Sequence, residues 1–359
     1  MDFEQLEVNP RIIMALKKAN LRSTRDILKL SDADLQRLTR LSVLDVRSVR
    51  AASALACRKS PPVTALQLHR GEFPGLEPGY RLTMGCPVLD RLLRGGVPLV
   101  GITELAGESG AGKTQVGLQL CLTVQYPRAL GGLGSGAVFI CTEDPFPIKR
   151  LRQLISLQSK LRPDLPEDLL SQICFSDNIY IKHTADLGAL QTCISKRVPV
   201  LLSRGLVQLV VVDSVAALFR CEFNSEETVE RARHLQAIAS SLHHLSHSFC
   251  APVLCINQVG LQAISTHSLT DTKILPALGM SWANQVLVRL MLRRLEGQGS
   301  MDGSSSTPRK LEVLFAPHLP RASCLCSIRE EGVRGTDSVP LVIGPRDKEH
   351  REQLRWTPP

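Results

Sequence analysis

Aromatic residues are scarce: Phe, Tyr and Trp make up 4% of the 359 residues. That argues against a protein that grips single strands by stacking bases on an OB-type sheet, which needs several exposed rings. Long apolar runs are also missing. The most apolar stretches, at 210–212 and 286–292, fall far short of the roughly 18 residues that span a bilayer. No membrane helix, and so no membrane partner, is expected. The first thirty residues hold no apolar core, so no secretory leader is expected either. The cysteines number eleven, an odd count, and form no CxxC pair. Cys324 and Cys326 sit too close together for a zinc pair, and no second pair accompanies them. Most cysteines lie in apolar runs, as Cys141 does in VFICTE and Cys255 in VLCINQ. These patterns predict reduced core thiols in a nuclear or cytosolic protein.

Charge and length carry the positive information. The chain holds 43 Lys and Arg against 34 Asp and Glu, a net +9. Its length suggests two domains, or one large domain with an appendage. Residues 1–59 hold 12 basic and 7 acidic side chains. Leu21, Ile27, Leu28, Leu35, Leu38 and Leu41 recur there at helical spacing, and Ser31 reads as a helix N-cap. A small basic bundle of helix-hairpin-helix type is expected, with Lys17, Lys18, Arg22 and Arg25 among the candidates for contact with a duplex backbone. Solvated helix faces are the plain alternative. Ser60-Pro61-Pro62 opens a linker, or oligomerisation segment, over 60–80. A core follows over 81–335, with a flexible insert at 297–308 and a frayed tail at 336–359.

Within the core, strands and helices alternate. Strands are predicted at 101–107, 136–143, 178–184, 208–213 and 252–258, and helices at 113–125, 148–160, 186–204 and 230–248. This pattern implies an α/β fold, a mostly parallel sheet with helices on both faces. Three later stretches, 285–292, 310–316 and 323–330, are expected to pair antiparallel as an edge extension.

The strongest chemical signal is Gly107-Glu108-Ser109-Gly110-Ala111-Gly112-Lys113-Thr114, which fits G-x-x-x-x-G-K-[ST] between a strand and a helix. Its glycines let backbone N–H groups wrap phosphates at a helix N-terminus. Lys113 would reach the β- and γ-phosphates of ATP, and Thr114 would ligate Mg²⁺. Asp213 ends the apolar run LVVVD and fits the carboxylate that holds the Mg²⁺ hydration shell. Glu143 ends VFICTE and is the candidate for orienting or activating the attacking water. Asn257 and Gln258 end VLCINQ, where an amide could sense the γ-phosphate. Convergence of Asp213, Glu143 and Gln258 at the carboxyl ends of parallel strands is the geometry expected of an open α/β sheet. The histidines His243, His244 and His247 read as a solvated helix face, and Arg289, Arg293 and Arg294 as unremarkable strand-end residues.

Together these stretches resemble the RecA-like strand-exchange recombinases and their eukaryotic paralogs. The resemblance lies in GxxxxGKTQ (107–115), TED…KRL (142–151), LVVVDSVAALFR (209–220), RARHLQ (231–236), INQV (256–259), PALGMSWANQVLVRL (276–290) and the lead-in over 81–107. It implies a RecA-type ATPase core behind a small helical domain, binding of ATP and Mg²⁺, and work in recombination repair of double-strand breaks. Also implied are a heterodimer with a C-type recombinase paralog, service to the main strand-exchange recombinase, and binding of single-stranded or branched DNA, Holliday junctions included. The implied location is the nucleus, with cytoplasmic and mitochondrial pools. Arg220, Arg231, Arg233 and Lys273 fall where the family's two DNA loops lie.

Several positions depart from that pattern. The family's Phe-x-x-Ala anchor is here Pro62-Val63-Thr64-Ala65, without its aromatic. Glu222, Glu226, Glu227 and Glu230 crowd the first DNA loop, and Asp144 replaces the glycine after the glutamate. An accessory paralog with weak DNA-stimulated ATPase activity is therefore favoured. A self-sufficient recombinase and a nucleotide-stabilised scaffold are the alternatives. A small-molecule kinase lacks the lid-type Arg cluster.

Overall fold

The computed structural model describes residues 8–19, 21, 23–57, 64–70, 79–223, 227–264, 271–295, 307–336 and 341–342. The chain divides into two units, Met1–Pro78 and Gly79–Pro359. The first holds α1 (Pro10–Lys18), α2 (Thr24–Lys29), α3 (Asp32–Thr39), α4 (Val43–Cys57) and α5 (Ala65–His69). Short side chains set the helix starts. Ser23 and Asp26 form a reciprocal capping box on α2, and the Asp34 N–H donates to Ser31 Oγ at 3.1 Å on α3. Ile12, Leu16, Ile27, Leu35, Leu41, Val46 and Val49 form the core of this unit. Leu38, grouped with them by spacing, is half exposed instead. Arg11 pairs with Asp45 at 3.1 Å and Arg50 with Asp32 at 3.0 Å, so part of the basic surface is spent within the unit.

The second unit opens with β1 (Arg81–Leu82), α6 (Pro87–Leu92) and β2 (Val97–Pro98), followed by β3 (Ile102–Gly107) and α7 (Lys113–Thr123). Next come β4 (Gly136–Cys141), α8 (Ile148–Ser156), α9 (Gln158–Leu161), α10 (Glu167–Gln172) and β5 (Ile179–His183). The helix expected over 148–160 thus breaks at Leu157. α11 (Leu187–Thr192) and α12 (Val198–Ser203) are joined by a π turn over Cys193–Arg197. Pro199 lies at the start of α12 and lacks the N–H that regular winding needs. Then follow β6 (Val207–Asp213), α13 (Val215–Glu222), α14 (Thr228–Phe249) and β7 (Val253–Asn257).

A hairpin of β8 (Val259–Ile264) and β9 (Asp271–Pro276) leads to α15 (Gly279–Ala283). The chain ends in β10 (Val288–Arg294), β11 (Arg309–Phe315), β12 (Ala322–Ile328), β13 (Val333–Gly335) and β14 (Leu341–Val342). The expected insert falls mostly on 296–306, outside the described residues. So does most of the expected tail, although β14 pairs with β12 at Ala322 and Ser323.

The main sheet runs β13-β12-β11-β10-β3-β7-β6-β4-β5. From β10 to β5 all neighbours are parallel. The three late stretches pair antiparallel as expected, β10 with β11 and β11 with β12, and β10 in addition lies parallel beside β3, which joins the extension to the parallel strands. The physical reason is the connection. Between β7 and β10 the chain passes through a hairpin and a helix, which is long enough to return β10 to the starting end of the sheet. Both faces of the parallel strands are covered. Leu105, Phe139, Val211 and Leu254 face one core, and Ile102, Val138, Val210 and Val253 face the other. Such strands read as continuous apolar runs, which is why they were legible.

Among the described residues no helix is long and apolar enough to cross a membrane. Among the cysteines whose side chains are described, seven are buried and none is paired. Cys174 and Cys221, against the core expectation, are exposed. Burial pushes the thiols of Cys141, Cys324 and Cys326 up to about 12, and those of Cys121 and Cys255 higher still. Mass-spectrometric mapping after brief iodoacetamide treatment at neutral pH should find Cys174 and Cys221 alkylated and these five buried thiols protected. Denaturation should open them.

Candidate nucleotide-binding site

β3 ends at Gly107 and α7 begins at Lys113, so the glycine-rich loop joins the strand end to a helix N-terminus. Gly110 and Gly112 adopt φ of +72° and +106°, left-handed values that favour glycine. A Cβ on Gly112 would collide with Ile328 Cδ1 at the end of β12. Lys113 is 8% exposed, and its Nζ donates to the carbonyls of Gly107 at 2.8 Å and Glu108 at 2.7 Å. Burial lowers its pKa, against the opposing pull of Asp213, Glu108 and Glu143. Ala111 is buried, Ser109 is exposed, and Glu108 accepts from the Arg294 N–H at 2.8 Å.

The parallel register brings the other candidates to the same end. Ala106 of β3 lies beside Asn257, Ile256 beside Asp213, and Asp213 beside Cys141. Thr114 Oγ1 donates to Asp213 Oδ2 at 2.7 Å. Burial raises the Asp213 pKa, while the Thr114 hydroxyl and the Lys113 charge act against it. A hydroxyl beside a carboxylate is a hard oxygen pair that suits Mg²⁺, whose remaining ligands would be water and phosphate oxygens. Gln258 Nε2 donates to Glu143 Oε2 at 2.9 Å, and Arg220 Nη2 lies 3.3 Å from Glu143 Oε1. The sheet end therefore gathers Lys113, Thr114, Asp213, Glu143 and Gln258.

A cavity of about 360 Å³ opens beside the loop, lined in part by Lys113, Thr114, Gln115, Arg150 and Ile328. Arg150 was not singled out from the sequence. Its guanidinium donates to Gln115 Oε1 at 2.7 Å and to the carbonyls of Arg329 at 2.6 Å and Glu330 at 2.8 Å. It thereby ties α8 to the turn before β13. Arg309, also unremarked, donates to the Ala111 carbonyl at 2.8 Å.

The DNA candidates do not converge. Arg220 is drawn to Glu143, whereas Arg231 and Arg233 lie in the first turns of α14. Lys273 lies on β9 opposite Gln262. Glu222, read as an acidic face of the first DNA loop, instead accepts the Leu187 N–H at 2.7 Å and caps α11. Residues 224–226 and 265–270, the centres of the two expected loops, lie outside the described residues, as do Pro62 and Val63. Ala65 begins α5 and is exposed. His243 is half-buried rather than fully solvated, and its Nε2 lies 2.7 Å from the Gln285 carbonyl, which can only accept. No cluster of metal-ligating side chains occurs among the described residues.

Sequence reading missed one buried cluster altogether. Glu104, in the middle of β3, is fully buried. It accepts from Asn257 Nδ2 at 2.6 Å, from Trp282 Nε1 at 2.9 Å and from the Arg289 guanidinium. Arg289 is thus a buried-ion partner, not an unremarkable strand residue. The visible signal was a lone carboxylate inside the apolar strand GITELAG.

Residues 79–336 match the family model Rad51. The chain belongs to the Rad51 family. Residues 3–57 match a second model, the XRCC3/RpoA-like helix-hairpin-helix domain. The chain is 50% identical over 342 residues to mouse DNA repair protein XRCC3, covering 93% of this chain and 98% of that one. It is 30% identical to fission yeast DNA repair protein rhp57 over 87% of this chain and 92% of the relative. Human DNA repair protein RAD51 homolog 2 is 26% identical over 89% of this chain and 84% of that relative. The family expectation from the motifs, and the RecA-type fold with its helical leading domain, are therefore borne out.

The buried cluster yields a stability test. Glu104→Gln keeps an acceptor for Asn257 and Trp282 but leaves the Arg289 charge unpaired. The loss expected in urea unfolding is about 3 kcal/mol, since breaking one half of a buried pair is costly. Glu104→Gln combined with Arg289→Met should recover part of it.

Proposed function

We propose that this chain is an accessory Rad51-family protein of homologous recombination repair. In this reading it binds ATP with Mg²⁺ and acts in the nucleus. It pairs with a C-type recombinase paralog and helps assemble or steady the main recombinase on single-stranded or branched DNA, Holliday junctions included. The observation that carries the reading is the meeting of Lys113, Thr114, Asp213, Glu143 and Gln258 at one end of the sheet. The full-length similarity to DNA repair proteins supplies the biological setting.

Each residue has a part. Lys113 would exchange its two loop carbonyls for phosphate oxygens, and the loop N–H groups would hold the same anion. Thr114 and Asp213 would hold Mg²⁺, which supplies charge neutralisation on the phosphates when bound. Glu143 would orient the attacking water, and Gln258, already joined to it, would register whether the γ-phosphate is present.

A second reading, nucleotide as scaffold without turnover, draws support from Arg220. Its guanidinium occupies Glu143 together with Gln258, and Asp144 follows where the family has glycine. In that case nucleotide would strengthen partner binding with no phosphate release.

Size-exclusion chromatography with light scattering, with and without Mg·ATP, tests the accessory role. A lone chain that stays small, and forms a discrete heterodimer with a paralog, is expected. Long homopolymers growing with ATP would favour the self-sufficient recombinase instead.

A further inference from the structure

A group of cations lies at the opposite edge of the sheet from the nucleotide site. Arg81 sits on β1, Arg94 just beyond α6, and His318 in the turn joining β11 to β12. β11 runs away from the phosphate loop, so this turn lies beyond the N-terminal end of β3, about 20 Å from Gly107 at strand rise. Arg81 Nη1 is 3.1 Å from His318 Nε2. Burial and then the charges of Arg81 and Arg94 lower the His318 pKa, and burial lowers that of Arg81. Among the described residues no ion pair joins Arg81, Arg94 or His318 to a carboxylate. The nearby Asp90 is spent on the Thr83 hydroxyl at 2.5 Å and the Met84 N–H at 2.6 Å.

The backbone at Arg94 is a separate observation. α6 ends with the Gly95 N–H bonded to the Asp90 carbonyl at 2.7 Å and the Arg94 N–H to the Arg91 carbonyl at 3.2 Å. This double bond pattern places Arg94 at the left-handed position usually given to glycine. Its φ is +52°, one of only three non-glycine residues with positive φ among those described. Gly95 and Gly96 follow directly, yet the strained position carries an exposed arginine. Packing does not require that side chain, and the helix stop would favour its absence.

We propose that Arg81, Arg94 and His318 form a second phosphate-binding site, fitted to the backbone of DNA. Two guanidinium groups can each fork onto phosphate oxygens, and the imidazole adds a donor. The site reads no bases, so it positions the nucleic acid without selecting sequence. It rests on the DNA-binding reading above and adds a contact distant from the two expected loops. Burial and the two arginines hold the His318 pKa below its ordinary value, so the imidazole is neutral near pH 7. A bound phosphate would favour its protonation. Binding should therefore tighten as the solution is made acidic.

The test is fluorescence anisotropy on the full chain with its paralog partner, using labelled oligodeoxynucleotide, single-stranded and duplex, over a salt series. Arg94→Gly is the decisive variant because it relieves the backbone. Its thermal midpoint should hold or rise by about 2 °C, while DNA affinity falls roughly three- to tenfold at low salt and the salt slope drops by about 1. Arg81→Gln should act in the same direction and Arg81→Lys should retain most affinity. His318→Gln should lose the tightening at acid pH, and ATP binding should not change in any variant. If wild type binds DNA and Arg94→Gly binds it equally with the same salt slope, the site is overturned and the DNA reading stands. If wild type binds no DNA, both are overturned.

Discussion

The Glu104 carboxylate is the constraint on which the glycine-loop end of the sheet depends. It lies in the strand that leads to the phosphate loop and is fully buried. Three donors meet it, and each comes from a different element: Asn257 at the end of β7, Trp282 in α15 and Arg289 in β10. A buried charge of this kind adds little net stability compared with an apolar packing, but it is intolerant of any arrangement that leaves it unpaired. Register is therefore what it secures. β10 must lie parallel beside β3, β7 must end level with it, and the crossover through the hairpin must return α15 to this spot. Asn257 directly precedes Gln258, so the same contact sets the position of the amide that meets Glu143.

From that frame the chemistry follows by register. Parallel strands end together, and their last side chains share one edge. Asp213 and Glu143 reach that edge from β6 and from the turn after β4, and α7 starts there with Lys113 and Thr114. Arg150 and Arg309 close the loop from outside by bonding to backbone carbonyls. The extension from β11 to β13 thus has a role beyond lengthening the sheet, because Ile328 and Arg309 wall the glycine-rich loop.

Much of this was legible because local signals and tertiary demands agree. The glycine loop, the apolar strands and the carboxylates that end them need only short windows, and Ser31 caps the helix its position announces. Other features depend on contacts that no window contains. The parallel placement of β10 is decided by a thirty-residue crossover. Glu104 and Arg289 lie 185 positions apart, and their pairing has no periodic signature. Glu222 looked like loop charge because capping of α11 joins segments far apart in sequence. Helix α13 was hidden behind the family motif that contains it.

Calorimetric titration of ATP into the protein, with and without Mg²⁺ and alongside Lys113→Ala, tests the central claim most directly. The geometry predicts binding that strengthens with Mg²⁺ and falls at least a hundredfold in Lys113→Ala, a change of about 2.7 kcal/mol. Equal affinity in the variant, or indifference to Mg²⁺, would contradict a nucleotide site built from Lys113, Thr114 and Asp213.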